Sequence, residues 1–166
     1  MKNKSKGFTL IELLIVVAII GILATFVVMS YRETRTKGYI ARAQTDLKSI
    51  RSALTMLEND TDQWPGHWKP GKVDTGAGGH EIWDLNTQQA GISRTDGNFP
   101  KWHGPYVQNG LPPDPWGNPY FFDPDYNINP DGAPQWVAVI GSFGPNEEGQ
   151  NVFDDDNLIE MVGFEK

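Results

Sequence analysis

The chain has 166 residues, a net charge of −7, no cysteine and 39% hydrophobic residues. This length suits one small domain plus an appendage. The missing cysteines exclude a disulfide framework and a thiolate metal site, and the acidic balance excludes the basic surface typical of nucleic-acid-binding proteins.

The N-terminal segment places three lysines before an apolar run at residues 8–29. A run of this length crosses, or nearly crosses, a bilayer as a helix. It is not followed by the small-residue cleavage site of a secretory signal. Because the lysines precede the run, we expect a single-pass topology with the C-terminal domain outward.

One charged residue, Glu12, interrupts the start of this run. An ionised side chain in hydrocarbon costs about 2.5–3.5 kcal/mol even on the lenient insertion scale. One interpretation is a capping box with Thr9, which lies three residues earlier. The other is a partner cation, namely a free amine on Phe8 produced by cleavage after Gly7. The residues alone leave both interpretations open.

The junction around Gly7 combines a basic leader, glycine, phenylalanine, glutamate and an immediate apolar run. It resembles the leader junction of type IV pilins and type II secretion pseudopilins. The resemblance implies that residues 1–7 are a leader, that prepilin peptidase cuts between Gly7 and Phe8, and that the new Phe8 amine is methylated. It also implies that Glu12 acts in assembly, and that the protein resides in the bacterial inner membrane and then in a periplasmic or extracellular filament.

A long helix is predicted from residue 8 to about residue 59, because this stretch has no proline. Gly21 is its candidate weak point, since glycine destabilises a helix interior by about 1 kcal/mol. After residue 30, apolar residues recur at steps of three and four, a stripe that we expect to pack on the chain's own sheet rather than in a free coiled coil. The stripe comprises Ile40, Ala43, Leu47, Ile50, Leu54 and Leu57. The apolar half is expected to protrude, covered first by membrane lipid and then by neighbouring subunits.

The remaining chain predicts a small antiparallel sheet with long loops, an α+β fold of the type IV pilin-like kind. Residues 60–110 are rich in glycine and proline, but four tryptophans argue for ordered loops, with a short helix at 81–90 closed by Gly91. Strands are predicted at 119–122, 135–140 and near 158–164, with Asp131 and Gly132 turning between the first two. The predicted domains are 1–7, 8–30 and 31–166.

A second resemblance narrows the family. Residues 102–107 and 111–120 are similar to the segment that marks major pseudopilins of type II secretion. Physically, we expect a rigid double turn in which Gly117 takes a positive φ and Trp116 fills the core between sheet and helix.

The resemblance implies a structural subunit of a helical homopolymer that drives protein export. Its implied partners are further copies, prepilin peptidase, an inner-membrane assembly platform and minor pseudopilins. The alternatives are a pilin of a surface fibre for adhesion, motility or DNA uptake, and a membrane-anchored enzyme or binding domain. An enzyme is disfavoured, because His67, His80 and His103 lack a ligand spacing and no nucleophile or phosphate-loop motif occurs.

The acidic segment 140–157 offers oxygen ligands without histidine or cysteine, which suits calcium. It resembles the calcium loop of major pseudopilins, which implies ligands at the Phe143 carbonyl, Asn146 and the group Asp154, Asp155 and Asp156. Relatives usually have an aspartate where this chain has Asn146, so the site carries less charge, unless Glu147 compensates. The alternative is a solvated acidic turn.

Overall fold

The computed structural model describes residues 7–75, 78–150 and 153–164. The chain forms two compact units, one reaching to Gly38 and the other beginning at Tyr39. A helix, α1, runs from Leu10–Thr61 and contributes to both units. It continues through Gly21 and Gly38 and ends two residues beyond the predicted boundary, so the prediction of one long helix is confirmed.

In the first unit, the side chains of α1 are exposed. They include Phe26 at 66% and Met29 at 65% exposure. An 18-residue window of α1 has a mean hydropathy of 2.9 and none of it is buried within the chain. By length and composition, α1 can therefore cross a membrane.

In the second unit, α1 buries the predicted apolar stripe. Leu47, Ile50, Leu54 and Leu57 are at most 2% exposed, and Ile40 is half-buried. Full burial of such a side chain contributes about 1.5–3 kcal/mol. The stripe packs with Trp64, Trp68, Leu85, Ile92, Tyr120, Phe122, Ala138, Ile140 and Val162.

The sheet of the second unit has three antiparallel strands in the described residues. They are β1 Phe121–Asn127, β2 Trp136–Ser142 and β3 Leu158–Phe164, in the order β1-β2-β3. Thus the predicted α+β arrangement is confirmed. A turn closed by the Gly132 amide donating to the Asn129 carbonyl at 3.3 Å lies between β1 and β2.

β1 begins two residues later than predicted and runs further, through Pro124. The register with β2 shifts between Asp123 and Tyr126. Proline lacks an amide hydrogen and is tolerated where a bulge or an edge removes the need for one. The bulge therefore lets β1 continue through residues that the sequence pattern treated as breakers.

Aromatic side chains cover the sheet face opposite α1. Phe121, Tyr126 and Phe143 are buried there, with Trp83 and Phe153 packed against them. The rings of Phe121 and Phe143 are stacked at 4.8 Å. Both faces of the sheet are therefore covered by side chains of this chain.

The predicted helix at residues 81–90 is wrong. Ile82 exchanges two backbone hydrogen bonds of 2.8 Å with Phe122, and the Leu85 amide donates to Tyr120. This segment covers the outer edge of β1. Pairing with the strand gives hydrogen-bond partners to backbone amides that would lack them in an isolated short helix. Only Gln88–Ala90 forms a 3₁₀ turn, which ends at Gly91 with φ 72°.

Candidate functional site

The junction between Gly7 and Phe8 lies just before α1 and is exposed. Phe8 is 84% exposed. A Cβ added at Gly7 would meet no atom within 4 Å. Packing within this chain therefore does not require glycine at position 7.

Glu12 forms a reciprocal capping box with Thr9. The Thr9 amide and hydroxyl donate to Glu12 Oε2 at 2.8 Å and 2.7 Å, and the Glu12 amide donates to Thr9 Oγ1 at 3.3 Å. The arrangement satisfies donors at the first turn of the helix and places an acid at its positive end. In this uncut chain the Phe8 nitrogen is an amide, so the pairing of Glu12 with an amine stays a prediction.

The acidic loop brings together two of the residues predicted to bind calcium. Asn146 Nδ2 donates to Asp154 Oδ2 at 2.7 Å. Asp154 Oδ1 also accepts the amides of Asp156 and Asn157, each at 3.1 Å. The carboxylate of Asp154 thus organises its own end of the loop and contacts the other end through Asn146.

A close backbone approach closes the same loop. Gly144 has φ 72°, and a Cβ there would collide with the carbonyl of Asp156. Glycine is needed at this point both for the left-handed conformation and for the contact. The two ends of the loop therefore meet in direct backbone contact, which leaves no space for a side chain at position 144.

The other predicted ligands do not converge as side chains. Asp155 and Asp156 are exposed. The Phe143 ring packs in the aromatic cluster, and the carbonyl of Phe143 remains its predicted ligand. No group of three or more carboxylate, histidine or cysteine side chains in the described residues has a geometry for holding a metal ion. A cation here would bind to Asn146, Asp154 and backbone carbonyls, and this oxygen set fits calcium.

Asp114 anchors the double turn that the sequence assigned to prolines, Gly117 and Trp116. It is 3% exposed. Its Oδ1 accepts the amides of residues 116, 117 and 118 at 2.8–3.0 Å, and its Oδ2 accepts the Ser142 hydroxyl at 2.5 Å. An aspartate shortly before a glycine signals such a side-chain-capped turn.

Gly117 has the predicted positive φ, 105°. The placement of Trp116 in the core is wrong. Its ring is half-buried and lies edge-on to Tyr39 at 6.0 Å. Asp114 points into the core where Trp116 was expected, because the three amides of the turn point inward and need a hydrogen-bond acceptor.

A buried pair of carboxylates on β1 was not foreseen. Asp123 is 1% exposed and Asp125 is 6% exposed. The Asp125 amide donates to Asp123 Oδ1 at 2.8 Å, and the Gly78 amide donates to Asp125 Oδ2 at 3.2 Å. Burial, and then the hydrogen bond to the Asp125 side chain, raises the pKa of Asp123 to about 8. Asp123 therefore holds its proton at neutral pH.

Each of the three histidines faces an aspartate in a different part of the domain. His67 Nε2 lies 3.0 Å from Asp96, and His80 Nδ1 lies 3.0 Å from Asp74. His103 Nδ1 lies 3.6 Å from Asp60. Burial alone would raise the pKa of Asp96, but hydrogen bonds from Asn98 and His67 outweigh it and lower that pKa.

Two family models match the chain. The prokaryotic N-terminal methylation motif matches residues 2–28, and type II secretion system protein G matches residues 86–151. No solved structure matches the chain.

Curated relatives extend the match over most of the chain. The type II secretion system core protein G of Pseudomonas aeruginosa is 34% identical over 124 residues, which cover 72% of this chain and 73% of the relative. That of Vibrio cholerae is 33% identical over 71% of this chain and 70% of the relative. That of Pectobacterium carotovorum is 29% identical over 84% and 85%. Together with the leader junction and the helix-on-sheet fold, these matches show that the chain belongs to the type II secretion system core protein G family, the major pseudopilins.

Proposed function

We propose that this chain is the filament-forming subunit of a type II secretion pseudopilus. It inserts in the inner membrane with the C-terminal domain outward, is cut between Gly7 and Phe8 by prepilin peptidase, and is methylated on the new amine. It then assembles as a helical homopolymer, with minor pseudopilins and an inner-membrane assembly platform as partners. The filament moves exported proteins outward, and the chain performs no catalytic step.

The observation that carries this proposal is the exposed apolar half of α1 directly behind an exposed Gly–Phe junction. No residue of its most apolar 18-residue window is buried by the chain itself. Apolar surface of this extent needs a cover, because each square ångström left in water costs about 25 cal/mol. Lipid supplies that cover before assembly, and the same half of α1 in other copies supplies it afterwards.

Glu12 can fix the axial position at which the apolar halves of α1 from neighbouring copies pack together. In the uncut chain its carboxylate is satisfied by Thr9. Cleavage turns the Phe8 nitrogen into a cation, and a cation is a stronger partner for a carboxylate than a hydroxyl or amide in a water-free surrounding. The Phe8 amine of a neighbouring copy can therefore compete for Glu12 at one axial position.

The first experiment tests processing. Intact mass of the membrane-extracted protein should give a chain that begins at a methylated Phe8. Gly7→Arg should leave the leader attached, because it puts a large charge at the junction. Gly38→Arg is the matched control, since position 38 also has open space around its Cα. A wild-type N-terminus at Met1, or beyond Met29, would contradict the proposal.

The second experiment tests assembly. Glu12→Ala should leave membrane insertion and the domain intact while reducing sheared filaments. Glu33→Ala is the control, because Glu33 is an exposed helical acid that pairs with Lys37 on its own helix. Equal filament yields from Glu12→Ala and the parent would show that the carboxylate only caps the helix.

We also propose that the acidic loop binds calcium. Asn146 and Asp154 would hold the ion, with backbone carbonyls such as that of Phe143. The support is the pairing of these two side chains and the meeting of the loop ends at Gly144. Calcium would supply a positive charge that ties the loop to the sheet. A neutral amide at position 146 lowers the charge of the ligand set and hence the affinity.

A further inference from the structure

Charge is distributed unevenly along the chain. Residues 31–51 of α1 carry six Lys or Arg and two Asp or Glu, whereas residues 52–166 carry five and eighteen. A short basic stretch of helix and a strongly acidic domain therefore occur in one subunit. When copies of such a chain meet, opposite charges favour contacts between these two regions over contacts between like regions.

Two cations of this basic stretch have no acidic partner among the described residues. Lys48 and Arg51 are three positions apart on α1 and so emerge on the same flank. Neither forms an ion pair with a described residue. Lys48 is exposed and Arg51 is half-buried. By contrast, Arg42 lies 3.7 Å from Asp46 on the same helix.

This flank forms one wall of a groove of about 430 Å³, in which Gln44, Leu47 and Lys48 face residues 157–160. β3 is an edge strand, and no described residue bonds to its outer backbone groups. Glu160 also lines the groove but makes no ion pair with Lys48. The groove is open to solvent, and the Lys48 ammonium in it has no ion-pair partner in the part of the chain that the structure describes.

An exposed turn elsewhere in the domain carries negative charge that is complementary to the positive charge of this flank. Glu147 and Glu148 are exposed, and neither carboxylate is ion-paired with a described residue. Asn146 Oδ1 accepts the Glu148 amide at 2.9 Å, and Glu147 has φ 59°. The backbone of the turn is thus fixed by local bonds while its two charges remain available.

We propose that the cationic flank, Lys48 and Arg51, binds the acidic turn, Glu147 and Glu148, of a second copy in the filament. The inference rests on the proposed function, which brings copies together. The contact is heterologous, since two different surfaces meet, and a heterologous contact that does not close propagates along a filament. The contact sets which neighbouring subunits align, and it weakens at high salt because Lys48, Glu147 and Glu148 are exposed.

A charge swap in the full-length chain tests the contact. The double variant Lys48→Glu, Arg51→Glu should lower the yield of sheared filaments by about fivefold, as should Glu147→Lys, Glu148→Lys. Combining all four changes should restore the yield. Lys69→Glu, Lys101→Glu makes the same charge change at two exposed lysines and should leave the yield unchanged. A fourfold variant no better than either double variant would overturn the proposal.

Cysteine cross-linking gives a second readout that does not depend on yield. The chain has no cysteine, so Lys48→Cys with Glu148→Cys should give a ladder of linked subunits on oxidation. Lys101→Cys with Glu148→Cys should not. Equal ladders from both pairs would contradict the contact even while the filament forms, whereas a parent chain that forms no filament would contradict the proposed function itself.

Discussion

The two halves of α1 share one continuous backbone but differ in how their apolar side chains are covered. In the front half the apolar residues surround the helix and all are exposed. In the second half they form one stripe, and Leu47, Ile50 and Leu54 are buried by the sheet and the loops. A stripe can be covered by a single surface, whereas an apolar belt needs a surrounding medium. The difference separates the part that folds on itself from the part that needs lipid or other subunits.

The largest expected effect comes from replacing a leucine by alanine in each half of α1 and comparing the stability of the domain. Leu54→Ala should destabilise the domain by about 2–5 kcal/mol, because Leu54 is completely buried and its loss leaves a cavity. Leu14→Ala should leave domain stability unchanged, since Leu14 is 59% exposed. Chemical unfolding of the detergent-extracted chain, followed by tryptophan fluorescence, measures both. Equal losses would mean that the front half contributes to the core of the domain.

Calcium should stabilise the folded domain and leave the exposed front half of α1 unaffected. If the acidic loop binds the ion, a hundredfold excess over the dissociation constant should add about 2.7 kcal/mol. The melting temperature of the detergent-extracted chain should rise with calcium and fall with chelator. Asp154→Asn should remove the response, while Asp131→Asn, an exposed acid outside the loop, should keep it. Identical melting across millimolar calcium would leave these aspartates as surface charge.

The stability of the domain should also depend on pH. The folded pKa of Asp123 is raised to about 8, above an unfolded value of about 3.9. Its contribution is therefore fully present below about pH 4 and is lost as pH rises through about 8. The melting temperature should fall as the pH rises from 5 to 9.

The control for this pH dependence is Asp123→Asn, which should flatten the profile because the amide cannot ionise. Glu81 also faces the pair and contributes to its electrostatics. The Glu81 charge raises the pKa of Asp123, so Glu81→Gln should shift the profile slightly toward lower pH without flattening it. A wild-type profile with the same slope as that of Asp123→Asn would contradict the assignment.

Some of the domain could be predicted because its signals are local. Three-and-four spacing from Ile40 to Leu57 specifies the buried face of α1, and the strand-like runs specify β2 and β3 to within a few residues. Residues 81–90 could not be predicted, because their backbone bonds go to β1. The length of β1 was missed for a similar reason, since a bulge against β2 accommodates Pro124.

The candidate site likewise has a part that local sequence predicts and a part that depends on contacts between distant residues. Gly7, Phe8 and Glu12 lie within six consecutive residues, so their spacing alone predicts the junction. Thr9 and Glu12 form the cap that the spacing allows. Asn146 and Asp154 lie eight residues apart, and only the fold of the loop brings them within 2.7 Å.

By itself, the sequence determined the leader junction, the long helix, its apolar and amphipathic halves and the absence of disulfides. These properties depend on composition and on residues within a few positions of one another. Tertiary structure alone decided that Asp114 holds a turn against Ser142 and that two aspartates are buried on β1. It also decided that Lys48 and Arg51 have no ion-pair partner within the described ranges. Whether a polar side chain is satisfied depends on which distant groups the fold places beside it, and no local pattern records that.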